Sequence, residues 1–70
     1  MTTLRFHRAV YSGPALDEAM KVFAPYAKID GREEPEHWVV TIDGGERERA
    51  VAGELGNYAL GLTVKNRSAR

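Results

Sequence analysis

The sequence predicts an α+β two-layer domain of order β-α-β-β-α, a three-stranded sheet with two helices on one face. Three observations carry this. Apolar and polar residues alternate in Leu4–Tyr11 and again in His37–Asp43, the two-residue period of a half-buried strand. A Ser-Gly-Pro punctuation at Ser12-Gly13-Pro14 opens a stretch with helical spacing. Beyond Gly44-Gly45 the helical spacing returns and persists almost to the end of the 70 residues.

The first strand places Leu4, Phe6 and Val10 on one face and Arg5, His7, Ala9 and Tyr11 on the other. In the helix that follows, Ser12 or Gly13 caps, and Pro14 loses nothing by lacking an N–H in the first turn. Leu16, Ala19, Met20, Phe23 and Ala27 form its apolar arc, Asp17 and Lys21 pair on the wet side, and Pro25 ends it. Residues 26–30 read as a short strand and 31–36 as a polar hairpin loop. His37–Asp43 is the strongest strand, with Trp38, Val40 and Ile42 on one face. From Glu46 onward Val51, Leu55, Tyr58, Ala59 and Leu62 make the core stripe of a second helix, and residues 66–70 read as a frayed tail. The expected core centre is Phe6, Leu16, Phe23, Trp38, Val40, Leu55 and Tyr58.

A chain of 70 residues is a single domain, 1–70, that buries only about 60% of its unfolded surface. It has no cysteine, so disulfides and thiolate metal sites play no part, and a cytoplasmic setting is expected. No apolar run has the length of a signal peptide or a membrane span, so no membrane partner is expected. Ten basic and ten acidic residues cancel, but unevenly: net +2 over residues 1–29, −5 over 30–54 and +3 over 55–70. A neutral total argues against the broad basic field of nucleic-acid binders and permits association.

The second helix holds Gly53, Gly56 and Gly61, each costing about 0.8–1 kcal/mol relative to alanine in an exposed helix interior. Gly53, Gly56, Asn57, Leu60 and Val64 lie opposite the core stripe, and small residues there let another backbone come close. A homodimer through this face is the expectation, because it also supplies burial that a short chain lacks.

The chain resembles the small HxsD-like proteins of the His-Xaa-Ser peptide maturation system over residues 4–62. Val10-Tyr11-Ser12, Ala15-Leu16 and Ala19-Met20-Lys21-Val22-Phe23 carry the resemblance, with the Trp38-Val39-Val40 strand and the Gly53–Leu60 helix. Leu55 replaces an aromatic of that pattern, and the family's C-terminal extension is largely missing. The resemblance implies an accessory component accompanying radical-SAM enzymes that mature a short peptide, without its own iron–sulfur cluster. It supplies no catalytic residue to transfer.

Candidate chemistry is sparse. His7 and His37 could hold a metal with Asp30 or Asp43 only if their strands were neighbours, and two solvent-facing histidines are the preferred reading, so no metal and no cofactor are expected. Glu33, Glu34 and Glu36 sit in a turn, without the cleft that paired-carboxylate catalysis requires. Asp43-Gly44-Gly45-Glu46 has neither the oxygen ligands of a calcium loop nor a phosphate-binding lysine. Ser12 reads as a cap, and no catalytic residue is assigned. An extended peptide adding along the sheet fits better than a reaction, with Arg5, His7, Tyr11, His37, Val39 and Thr41 as the partner face. The expectation is thus a non-enzymatic, self-associating accessory or peptide-binding module with a peptide or enzyme partner. The alternative is a small RNA-binding domain using the open sheet face, with Arg5, His7 and Tyr11 exposed.

Overall fold

A computed structural model describes residues 1–68, with the side chains of residues 67 and 68 left aside. The order is β1 (Thr2–His7), α1 (Gly13–Phe23), β2 (Lys28–Glu33), β3 (His37–Asp43), a 3-10 turn (Gly45–Arg47) and α2 (Glu48–Ser68). This is the expected α+β architecture. The sheet order is β1-β3-β2, with β3 antiparallel to both neighbours. The outer strands therefore run parallel, with the last strand inserted between them.

Register fixes the two faces. Thr2, Leu4 and Phe6 stand beside Ile42, Val40 and Trp38, with Ile29, Gly31 and Glu33 across from the same three on the other side. Both helices cover this face, α1 over β2 and α2 over β1 and β3. Ser12 caps α1 as expected, its hydroxyl accepting the Ala15 N–H at 3.2 Å, and the helix stops at Phe23 before Pro25. Phe6, Leu16, Ala19, Val40, Ile42, Val51, Leu55 and Ala59 form the core. The α2 stripe advances in steps of four through Val51, Leu55, Ala59 and Thr63, all buried. The buried Thr63 hydroxyl accepts the Ser12 N–H at 3.4 Å, which ties α2 to the start of α1.

Several expectations need correction. β1 ends at His7, four residues early, because Val10 and Tyr11 both donate their N–H groups to the His7 carbonyl in a turn. Val10 is consequently exposed. β2 is Lys28–Glu33, so Gly31, Arg32 and Glu33 belong to a strand and the hairpin turn is confined to Glu34–Glu36. Tyr58 is 37% exposed on the flank facing α1, where its ring meets Phe23 edge-on at 5.9 Å, so it is not a core centre. Phe23 and Trp38 pack against the core but remain partly exposed. Of the segment expected to fray, residues 66–68 close α2 and residues 69–70 lie outside those described.

Candidate functional site

The uncovered sheet face carries Arg5 and His7 from β1, His37, Val39 and Thr41 from β3, and Asp30 and Arg32 from β2. Five of the six residues expected on a partner face thus come together. Tyr11 does not join them. The turn after His7 swings it to the helix side, where its ring meets Phe6 edge-on at 4.8 Å.

Val39 is on the expected face yet only 2% exposed. Its neighbours across both ladders are Arg5 and Arg32, and Glu34 ion-pairs with both, at 3.3 Å in the case of Arg32. The two aliphatic stems are therefore held beside Val39 while their charges stay wet, the usual compromise of a long cationic side chain. What the face offers a partner is a charged clamp, and the valine lies beneath it.

His7 and His37 are register partners, and their rings lie edge-on at 5.1 Å between centroids. The neighbouring bond from Arg8 N–H to the Glu36 carbonyl makes this a non-hydrogen-bonded pair, the kind in which opposed side chains approach most closely. His7 Nδ1 accepts the Ala9 N–H at 3.1 Å. The two carboxylates that a metal would need as co-ligands are remote: Asp30 pairs with Thr41 and Asp43 with Lys28, toward the other end of the sheet. Among the described residues no group of three or more histidine, aspartate or glutamate side chains gathers as a metal site.

One concavity lies where the sequence expectations did not point. Between α1 and the free edge of β2 runs a cleft of about 340 Å³, lined by Leu16, Met20, Gly31 and Trp38 with Asp17 and Glu33 among its polar members. Gly31 makes it possible, because a Cβ there would sit 2.8 Å from Met20 Sδ. A glycine inside a strand marks a close approach, and that is the available signal once β2 is recognised as a strand. Among the described residues nothing pairs with the outer side of the strand beside the cleft. The bond from Glu34 N–H to the His37 carbonyl fixes the alternation of the ladder, so Ile29, Gly31 and Glu33 direct their backbone groups away from β3.

A second polar cluster joins the start of α2 to β1. Glu48 accepts the Thr2 hydroxyl and the Gly44 N–H at 3.4 Å, and ion-pairs with the amino group of Met1 at 3.0 Å. The Thr2 hydrogen bond, then the ammonium, hold the Glu48 carboxyl below its ordinary value. Of the expected dimer face, Gly53, Asn57, Leu60 and Val64 are exposed and Gly56 is half-buried. A Cβ added at Gly53, Gly56 or Gly61 would meet nothing within 4 Å, so these glycines answer no close approach inside the protomer.

Among the described residues no helix is long and apolar enough to cross a membrane. Comparison with protein families, curated proteins and solved structures finds no match for the chain.

Proposed function

We propose that the chain is a non-enzymatic accessory module, self-associating and cytoplasmic, that binds an extended peptide along the free edge of β2. One observation supports this most strongly: outward-facing backbone groups of Ile29, Gly31 and Glu33 lie beside a side-chain-sized cleft walled by Leu16, Met20 and Trp38. Strand addition needs both parts, since main-chain bonds give affinity and a pocket for alternate side chains gives selectivity. The β1 edge has outward-facing backbone groups as well, but the cleft lies beside β2. The resemblance to HxsD-like proteins supplies a candidate occupant, a short peptide undergoing radical-SAM maturation. Arg32 and the Arg5–Glu34 pair on the uncovered face then orient the enzyme or peptide by charge.

Selection from a random peptide library, followed by amide-resolved titration of the enriched peptides, tests this reading. Expected are enriched peptides that shift the amides of residues 28–33 and bind Gly31→Val, whose side chain enters the cleft, at least tenfold more weakly. Peptides that bind while leaving residues 28–33 unmoved would refute it. Retention of single-stranded RNA with shifts at Arg5, His7 and His37 would instead support an RNA-binding use of the open face.

A further inference from the structure

Around the C-terminal end of α1 and the first half of α2 the surface is apolar and open. Val22, Tyr26 and Tyr58 are 40%, 56% and 37% exposed, and the Phe23 ring lies between the two tyrosines, 6.3 Å from Tyr26 and 5.9 Å from Tyr58. Val22, Phe23 and Tyr26 face Ala50 and Val51 across a groove of about 550 Å³, which Arg47 and Glu54 also line. Arg47, the last residue of the 3-10 turn that leads into α2, and Glu54 are seven residues apart and line this same groove, and among the described residues neither side chain has an ion-pair partner.

We infer that this groove is a two-fold contact between two copies of the chain. In such a contact one patch meets itself, so whatever residue i touches, j touches i in return. Two antiparallel α2 helices crossing beside Ala50 and Val51 satisfy this by charge, because Arg47 and Glu54 lie equally far on either side of that point. Each arginine then meets the glutamate of the other copy, twice per dimer. Ala50 is exposed and small, which allows the helix axes to come within about 8–10 Å. Val22 and Tyr26 on the rim of each groove cover the apolar surface of the other. The glycine side of α2, by contrast, presents Gly53, Gly56, Asn57, Leu60 and Val64 with Arg49 one turn before Gly53, and among the described residues no carboxylate of α2 shares that face to pair with it across a two-fold.

This inference rests on the self-association in the reading above and moves it to the neighbouring side of α2. Sedimentation at micromolar concentration tests it. The native chain is expected to be dimeric, and Arg47→Glu or Glu54→Arg alone to weaken the dimer about tenfold or more by opposing like charges. An equimolar mixture of the two variants restores it as a heterodimer, since one chain is then acidic at both positions, the other basic at both, and each contact again joins opposite charges. Val22→Asp, at an exposed site, serves as a second probe, and circular dichroism verifies that each variant is folded. A native chain that stays monomeric overturns both the contact and the self-association. A dimer indifferent to both charge reversals and to Val22→Asp, but broken by Leu60→Asp, overturns this contact while self-association stands.

Discussion

The Trp38 indole N–H donates to the Tyr11 carbonyl at 3.2 Å, joining the central strand to the turn that leads into α1. The Arg8 guanidinium stacks over the ring at 4.2 Å from its centroid. Trp38 is therefore a fastener between β3 and the 8–12 segment as well as a packing residue. Trp38→Phe keeps an aromatic ring and loses the bond, at a cost of about 1 kcal/mol. Trp38→Ala costs about 3 kcal/mol, the low end for a large aromatic because the ring is partly exposed. Urea denaturation measures both, and an unchanged midpoint for the alanine variant would refute the assignment.

Gly31→Ala is expected to change stability by less than about 1 kcal/mol. The atoms its Cβ would crowd are Met20 Sδ and Cε, the far end of a flexible side chain. Thermal melting checks this, and a loss of several kcal/mol would show that Met20 is locked in place.

Removing the glycines of α2 should raise stability. Gly53→Ala, Gly56→Ala and Gly61→Ala together add a Cβ to open space and are expected to contribute about 2 kcal/mol, since each glycine costs up to about 1 kcal/mol in a helix. A rise in melting temperature with the association state unchanged fits the Arg47–Glu54 contact. A dimer lost in the triple variant would place the interface on the glycines.

Glu34→Gln removes the charge that Arg5 and Arg32 share. Because the paired side chains keep much of their exposure, the stability change should stay below about 1 kcal/mol. The informative readout is side-chain NMR of the two arginines, which should lose their restricted positions and expose Val39. Arginine signals unaltered by the substitution would mean that Glu34 does not hold them.

Acid should loosen the start of α2 from β1. The folded-state pKa of Glu48 is lowered, so its contribution is present above the ordinary glutamate value and is lost as pH falls through the folded value. Glu48→Gln should accordingly be less stable than the native chain near neutrality, with the gap narrowing on acidification. A gap that is constant with pH would contradict the linkage.

Much of this architecture can be read from residue order, and the failures have physical causes. Ser12, Pro14 and Pro25 bracket α1 because capping and proline act locally. β3 is legible because a central strand under helices repeats apolar residues at Trp38, Val40 and Ile42. The full extent of β2 is not, since an edge strand with Gly31 and Glu33 on its inner face shows almost no apolar alternation. Val39 falls on the correct face, but its burial depends on which arginines flank it, and that follows from strand order alone. Tyr11 is misplaced when the β1 alternation is extended through a turn that no proline or glycine announces. The cleft beside β2 depends on the strand's extent, the strand order and the Trp38 anchor together.

The insertion of β3 between two parallel outer strands has a consequence during biosynthesis. β1 leaves the ribosome first, yet its register partner His37 follows His7 by thirty residues. β2 is made next and also has β3 as its neighbour, not β1. At about 5–20 residues per second the first strand waits seconds with its backbone unpaired. The short connection makes the β2–β3 hairpin the expected first pairing, with β1 captured afterwards. The strand translated earliest of the three is thus expected to join last.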